Sequence, residues 1–69
     1  MSQVTIYTKH GCPYCAAAKQ DYTKRKVAFT EKNVVDDKNA LAEMVKLSGG
    51  RRVPVIVEDG QVTVGFGGS

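Results

Sequence analysis

The two cysteines of this 69-residue chain are separated by only two residues, in the stretch Cys12-Pro13-Tyr14-Cys15. An apolar run precedes the stretch and a run of strong helix formers follows it, so the pair stands where a strand should pass into a helix. A C-x-x-C at such a junction is typical of a redox site. A bridge between the two cysteines would close a loop of about four residues and add little stability, so a purely structural disulfide is a poor interpretation. The fold therefore has to present both sulfurs at the start of a helix.

The first part of the chain predicts a strand followed by a helix. Val4–Thr8 is rich in β-branched and aromatic residues and has the alternation of a strand. Gly11 permits a tight turn, and Pro13 suits the first turn of a helix, where its missing N–H costs nothing. The helix should begin at Cys12 or Pro13 and end at Lys24-Arg25-Lys26, whose positive charge complements the helix dipole.

A second strand and a second helix are expected next. Val27–Val35 carries β-branched and aromatic residues and predicts a strand, although its alternation is imperfect. Asp36-Asp37 offers an N-cap to a helix that Gly49-Gly50 should end. Between these limits a stripe recurs at helical spacing, formed by Leu41, Met44, Val45 and Ser48 and widened by Ala40 and Leu47.

Two apolar runs around an Asp-Gly turn complete the pattern. Val53–Val57 and Val62–Val64 flank Asp59-Gly60, which is a strong signal for a β-hairpin. The order is therefore β-α-β-α-β-β, in which the first half should make a right-handed parallel crossover and the second half should be antiparallel. At this length the chain is expected to form one small α/β domain over residues 1–69.

The two sulfurs have different predicted tasks. A thiol attacks as its thiolate, which the backbone N–H groups and the dipole at a helix N-terminus stabilise, and Cys12 occupies that place. Cys15 falls on the helix face that packs on the sheet, so it should be the more buried sulfur and should resolve a mixed disulfide formed on Cys12. Lys9 should add positive charge near the thiolate, and His10 is an alternative source of that charge, although a lone exposed histidine is more often a loop residue without a catalytic role.

Several other function classes fit the sequence poorly. Two cysteines make half of a zinc site, but the chain has no second C-x-x-C and a single histidine, so no metal is expected. Ten basic against seven acidic residues give a formal charge of only +3, and the aromatic residues are scattered, so no nucleic-acid partner is expected. No apolar run approaches the ~20 residues that span a membrane. The N-terminus lacks a signal-peptide pattern, and two cysteines fit a reducing, cytoplasmic setting.

Three motifs in order give the chain a resemblance to the glutaredoxin family. Lys9-x-x-Cys12-Pro13-Tyr14-Cys15 is similar to the dithiol site of glutaredoxins, Val53-Pro54 to the Val-Pro pair after their second helix, and Gly67-Gly68 to the glycine pair after their last strand. The match runs over nearly the whole chain. The resemblance implies a thioredoxin-like fold of the glutaredoxin type, with a four-stranded mixed sheet, and glutathione as reductant and co-substrate.

The resemblance also implies a cleft for glutathione. Its substrate-binding residues would be Lys9, Tyr14, Arg51, Val53, Pro54, Gly67 and Gly68. Pro54 should be cis and face the cysteines, and the Val53 backbone should pair with the cysteine moiety of glutathione as an added strand does. Lys9 and Arg51 should draw the carboxylates, and the glycine pair should let the backbone approach the γ-glutamyl end. For Arg51 and Arg52 a solvated basic loop is an equal alternative, and for Pro54 the alternative is an ordinary proline at the start of a strand.

Two departures from the family pattern bear on this cleft. Arg52 stands where the family has a threonine before Val-Pro, which adds charge at the rim. The sequence also stops at Ser69, where family members usually continue with an acidic residue and a final helix, so that helix is expected to be absent or truncated. Its absence would expose some of four apolar side chains, namely Met44, Val62, Val64 and Phe66.

Four function hypotheses follow. The first is a glutathione-dependent disulfide oxidoreductase that reduces protein disulfides and glutathione mixed disulfides through Cys12 and Cys15. The second is a thioredoxin-reductase-linked redoxin that donates electrons to ribonucleotide reductase. The third is a binding role, in which two chains share an iron–sulfur cluster through Cys12 and glutathione. The fourth is a structural or interaction domain, in which neither cysteine reacts faster than a free thiol.

Overall fold

The computed structural model describes residues 3–66. The elements along this range are β1 (Val4–Thr8), α1 (Pro13–Lys24), β2 (Thr30–Asn33), α2 (Lys38–Ser48), β3 (Val55–Glu58) and β4 (Gln61–Val64). Their β-α-β-α-β-β order is the one that the sequence predicts. Gly67 and Gly68, which the resemblance assigns to the ligand cleft, lie outside the described residues.

The four strands form one mixed sheet in the order β2-β1-β3-β4. β1 and β2 are parallel, with Thr5 opposite Thr30 and Thr8 opposite Asn33. β3 is antiparallel to both of its neighbours, β1 and β4. The prediction of a parallel first half and an antiparallel second half is therefore confirmed, and so is the fold class, a four-stranded mixed sheet with two helices.

Each face of the sheet carries its own apolar cluster. The cluster on the α1 face is formed by Val4, Ile6, Ala18, Tyr22 and Ile56. The cluster on the α2 face is formed by Tyr7, Val34, Ala40, Met44 and Val55. Ile6 and Tyr7 can serve different clusters because successive side chains of a strand point to opposite faces. The two helices therefore cover opposite faces of β1, the central strand that leads to the cysteines.

The second helix is capped by residues that the sequence indicated. Asp37 is its N-cap, and the Asp37 carboxylate accepts hydrogen bonds from the backbone N–H groups of Asn39 at 2.9 Å and Ala40 at 3.3 Å. Gly49 follows the last turn with a φ of 78°, a left-handed conformation that glycine adopts without a steric penalty. Of each predicted pair, the second aspartate and the first glycine act as caps.

The second strand is shorter than the sequence predicts. The pattern covers Val27–Val35, but β2 occupies only Thr30–Asn33. The Asn33 side chain accepts hydrogen bonds from the backbone N–H groups of Val35 and Asp36, at 2.9 and 3.1 Å, and this turn ends the strand. Val27 packs against the α1-face cluster without entering the ladder. Its apolar character reflects core packing and not strand pairing.

The predicted hairpin is present, with slightly different strand limits. β3 begins at Val55, after Pro54, which has no N–H to donate to a ladder. Asp59 and Gly60 both have positive φ, 50° and 85°, as a type I′ turn requires. β4 then returns along β3 and pairs Val64 with Val55.

The expected exposure of apolar side chains is found on only one strand. Met44 is fully buried in the α2-face cluster, so it is not among the side chains that are exposed. Phe66 packs against the α1-face cluster and is partly buried. Val62 and Val64 are 37% and 42% exposed. They belong to β4, which is an outer strand of the sheet.

Candidate active site

Cys12 is the N-cap of α1, at the junction between the loop after β1 and the helix. Its backbone is extended, with a φ of −100° and a ψ of 107°, and its Sγ accepts a hydrogen bond of 3.1 Å from the backbone N–H of Cys15. The sulfur thus takes the place of the side-chain oxygen of an ordinary N-cap. The amide and the positive end of the helix dipole both stabilise negative charge there. Because Cys12 is partly exposed, a substrate can reach this sulfur.

Cys15 differs from Cys12 in burial and in protonation. Cys15 is only 2% exposed. Burial, with a hydrogen bond to Cys12, raises the pKa of the Cys15 thiol to about 11, while a hydrogen bond to the Lys9 backbone and the charge of Lys19 act in the opposite direction. Both cysteines are free thiols in this structure. The order of burial is the one that the helix face predicts, and Cys15 is protonated near neutral pH.

Three segments meet at one end of the strands, the edge of the sheet at which β1 leads into the cysteine pair. β3 starts from this edge, because Tyr7 near the end of β1 pairs with Val55 at the start of β3. The Val53-Pro54 peptide bond just before β3 is cis, and the proline is buried. The backbone N–H of Gly65, which follows β4, donates to the Pro54 carbonyl at 2.8 Å. The cis-proline loop and the segment after β4 therefore lie at the same edge as the cysteine loop.

The predicted ligand-binding side chains lie on the surface around this edge. Lys9 lines a cleft together with both cysteines. Tyr14, the second residue of α1, is 43% exposed. Arg51 and Arg52 are exposed in the loop between α2 and β3, and Val53 of the same loop is half-buried. The fold thus brings the loop with Lys9 and the loop with the two arginines to one edge of the sheet.

A cleft of about 710 Å³ runs beside the cysteines on the β2 side of β1. Its chemically active lining comprises Lys9, His10, Cys12, Cys15, Lys19 and Glu31. The sequence interpretation missed Lys19 and Glu31. Lys19 had a local signal, since it lies four residues after Cys15 and so shares its helix face. Glu31 had none, because its position depends on the pairing of β2 with β1.

Lys19 and Glu31 form an ion pair in this cleft. The Lys19 Nζ donates to Glu31 Oε2 at 2.9 Å, and the Thr8 hydroxyl donates to the same oxygen at 2.8 Å. These two hydrogen bonds, the one from Lys19 first, hold the pKa of Glu31 below its ordinary value. Thr8 is only 1% exposed. The carboxylate is therefore anchored to the buried end of β1, and it binds the ammonium group of Lys19, a residue of the cleft that both cysteines also line.

His10 bridges the cysteine loop to the turn before α2. Its Nε2 lies 3.1 Å from Asp36 Oδ2 and 3.5 Å from Asn33 Nδ2. The side chains of His10 and Asp36 are 67% and 66% exposed, and such surface pairs contribute about 1 kcal/mol or less. The contact ties together two loops at the edge that carries the cysteines.

Residues 3–66 contain no group of three or more histidine, cysteine, aspartate and glutamate side chains that could hold a metal ion. Within the same range, no helix has the length and apolar character needed to cross a membrane.

Comparison with known proteins covers most of the chain. Residues 4–63 match the protein-family model described as Glutaredoxin. The chain belongs to the glutaredoxin family. Its C-x-x-C pair at Cys12 and Cys15 and its mixed four-stranded sheet are thus those of a glutaredoxin-family redox protein.

Two sequence relatives and one solved structure illustrate what this glutaredoxin-family chain is similar to. It is 38% identical over 63 residues to an uncharacterized glutaredoxin-like 8.6 kDa protein of the rubredoxin operon of Clostridium pasteurianum, covering 91% of this chain and 84% of the relative. It is 41% identical over 61 residues to Glutaredoxin 3 of Escherichia coli K12, covering 88% and 74%. The solved structure of the glutaredoxin-like NrdH-redoxin from Escherichia coli superposes with a TM-score of 0.81 at 33% identity, covering 93% and 83%.

Proposed function

We propose that this protein is a thiol-disulfide oxidoreductase that reduces protein disulfides and glutathione mixed disulfides. The observation that carries the proposal is the contrast between its two cysteines. Cys12 is a partly exposed N-cap sulfur that accepts a backbone hydrogen bond, whereas Cys15 is buried and has a raised pKa. Reduction of a disulfide by a dithiol needs one sulfur that attacks as a thiolate and a second sulfur within reach that then attacks the mixed disulfide.

In the proposed reaction the Cys12 thiolate attacks one sulfur of a substrate disulfide. A bond forms between Cys12 Sγ and that sulfur, and the other substrate sulfur leaves as a thiolate that takes up a proton. Cys15 then loses its proton and attacks Cys12 Sγ. The pair becomes a disulfide, the second substrate sulfur is released as a thiolate, and two electrons have passed to the substrate. On a glutathione mixed disulfide, a glutathione thiolate can take the place of Cys15.

Glutathione is the proposed electron source, and the surface beside Pro54 is its proposed site. Val53 precedes the buried cis-proline, so its backbone can pair with an extended tripeptide as an added strand does. Lys9 and Arg51 are exposed at this edge and supply positive charge for the two carboxylates of glutathione. Tyr14 supplies an exposed aromatic side chain at the start of α1. The glycine pair Gly67-Gly68 stays a prediction from the family motif.

A coupled assay tests this proposal. The protein is given a glutathione mixed disulfide, glutathione, glutathione reductase and NADPH, and NADPH oxidation is followed. We expect turnover by the wild type, no turnover by Cys12→Ser, and retained turnover by Cys15→Ser. The Cys15→Ser variant should in contrast fail to reduce a protein disulfide such as that of insulin. A wild type that is inactive with glutathione, or a Cys12→Ser variant with full activity, would contradict the proposal.

A second candidate is a redoxin that thioredoxin reductase reduces and that donates electrons to ribonucleotide reductase. It is favoured by the similarity to the Escherichia coli NrdH-redoxin, a glutaredoxin-like protein whose structure is described as the basis of a thioredoxin-like activity profile. The same insulin assay, run once with glutathione and glutathione reductase and once with thioredoxin reductase alone, separates the candidates. Reduction by thioredoxin reductase without glutathione would favour the second.

A further inference from the structure

We propose that Lys19, held in place by Glu31, is a positioning residue for the resolving step, in which it favours the thiolate of Cys15. This inference rests on the proposed dithiol mechanism and adds to it a residue outside the family's cysteine, Val-Pro and glycine motifs. It assigns the cleft on the β2 side of β1 to Cys15, while the surface on the β3 side, beside Pro54, is the one proposed for glutathione.

The geometry places Lys19 beside Cys15. The two residues are four apart on α1, so they share a helix face, and both line the 710 Å³ cleft with Cys12. The Lys19 side chain is 35% exposed, which is low for a lysine, and its Nζ is fixed by the 2.9 Å hydrogen bond to Glu31. Glu31 is in turn anchored by the Thr8 hydroxyl at 2.8 Å. The ammonium group is therefore held in the cleft by Glu31 and does not extend freely into solvent.

The resolving step is the moment at which Cys15 needs this charge. In the reduced protein the Cys15 thiol can hydrogen-bond to the Cys12 thiolate, but a mixed disulfide removes that negative charge. Cys15 then has to ionise while still buried, against the cost of desolvating a thiolate. A cation nearby lowers that cost, because opposite charges favour the ionised form. Lys19 meets this need from within the same helix.

The other charged groups along the cleft are less well placed for this task. They are the side chains of Lys9 and His10 from the loop after β1 and of Glu31 from β2. Lys9 acts on Cys15 through its backbone, whereas Lys19 acts through its charge, and both lower the pKa of the Cys15 thiol. His10 is paired with Asp36 and Glu31 is negative. Of these side chains, Lys19 is the one whose positive charge lowers the pKa of the Cys15 thiol, an effect smaller than that of the Lys9 backbone hydrogen bond.

The step itself balances without a further reactant. The Cys15 proton passes to the solvent, and the Cys15 thiolate attacks Cys12 Sγ. The bond between Cys12 and the substrate sulfur breaks, the Cys12–Cys15 bond forms, and the substrate sulfur leaves as a thiolate that regains a proton. The two cysteines are oxidised and the substrate is reduced by two electrons.

The first test titrates Cys15 alone, in the Cys12→Ser background. The rate of alkylation by iodoacetamide is measured against pH by mass spectrometry. Lys19→Met should move the pH profile to higher pH and slow alkylation near pH 8 by about two- to fivefold, as expected for one partly exposed charge interaction. Lys19→Arg, which keeps the charge, should restore most of the rate. Lys24→Met removes the same charge from the exposed end of α1 and should leave the profile in place.

The second test separates the two routes of the proposed function. In the otherwise wild-type chain, the rate of insulin reduction, which needs Cys15, is divided by the rate on a glutathione mixed disulfide, which does not. Lys19→Met should lower this ratio by about two- to fivefold and Lys24→Met should not. An unmoved profile and ratio in Lys19→Met, or equal shifts in Lys24→Met, would overturn the role of Lys19. If no variant reduces any disulfide but the alkylation profile still shifts, the proposed function fails and the effect of Lys19 on Cys15 stands.

Discussion

The backbone N–H of Cys15 donates a hydrogen bond of 3.1 Å to the Sγ of Cys12. Through this bond the Cys12 sulfur becomes the N-cap group of the helix in which Cys15 is buried. Because the donor belongs to the backbone, its contribution to Cys12 does not require the Cys15 thiol. We therefore expect this hydrogen bond to the Cys12 sulfur in any variant that keeps the first turn of α1.

This relationship predicts which sulfur reacts first with an alkylating agent. In the reduced protein near neutral pH, iodoacetamide should modify Cys12 before Cys15, because the pKa of Cys15 is raised to about 11 and its thiolate is rare. Cys15→Ser should leave the Cys12 rate close to the wild-type value, since the backbone donor is kept. Peptide mapping after timed quenching measures both rates. Earlier modification of Cys15, or a large loss of the Cys12 rate in Cys15→Ser, would contradict the assignment.

The Glu31 carboxylate should contribute to stability in a defined pH range. Its pKa is lowered in the folded protein by the hydrogen bonds from Lys19 and Thr8. A lowered folded-state pKa means that the contribution is present above the unfolded value of about 4.3 and is lost as the pH falls through the folded value. Because the side chain is 38% exposed, solvent screening keeps the contribution to about 1 kcal/mol or less.

Urea unfolding of the wild type and Glu31→Gln at a series of pH values measures this contribution. The difference in unfolding free energy should be largest near neutral pH and should shrink below about pH 4. Glu43, whose pKa is also lowered, is present in both proteins, so its effect cancels in the difference. A constant difference over the whole range would show that the Glu31 contacts do not depend on its charge.

Met44 and Leu47 form a matched pair for testing the α2-face core. Both lie on α2, but Met44 is 0% exposed and Leu47 is 47% exposed. Met44→Ala should cost about 2–5 kcal/mol, because it removes buried methylene groups and leaves a cavity. Leu47→Ala should cost less than about 1 kcal/mol, since its side chain keeps much of its contact with water. Chemical unfolding followed by circular dichroism measures the unfolding free energy of both variants. Equal losses of unfolding free energy would contradict the packing of Met44, and not Leu47, against the sheet.

The local parts of the fold and site could be predicted from the sequence because neighbours in the chain decide them. The helix start at Pro13, the cap at Asp37 and the turn at Asp59-Gly60 each depend on side-chain chemistry within a few residues. The same holds for the difference in burial between Cys12 and Cys15. Cys12 precedes the first turn of α1 as its N-cap, and Cys15 lies in the first turn, on the helix face that packs on the sheet.

Predictions over longer distances were less successful. The sequence predicted a strand over Val27–Val35. The observed strand is shorter, because a turn forms at Asn33 and only Thr30–Asn33 pair with β1. The sequence also placed Met44 among the side chains at risk of exposure, whereas Met44 fills the core between α2 and the sheet. The turn at Asn33 is local, but the pairing of β2 with β1 and the packing of Met44 on the sheet depend on partners that are distant along the chain, so a local pattern could not identify them.

The Cys12–Cys15 site combines features that the local sequence decides with features that only the tertiary structure decides. The sequence by itself determined the redox pair, its place at a helix N-terminus and the family motifs around it, because capping and helical spacing are local. Only the tertiary structure decided that Glu31 of β2 reaches Lys19 beside Cys15. That contact exists because parallel pairing sets Glu31 opposite Ile6, so that its side chain reaches the Thr8 hydroxyl two residues further along β1, and strand register is a property of the whole sheet.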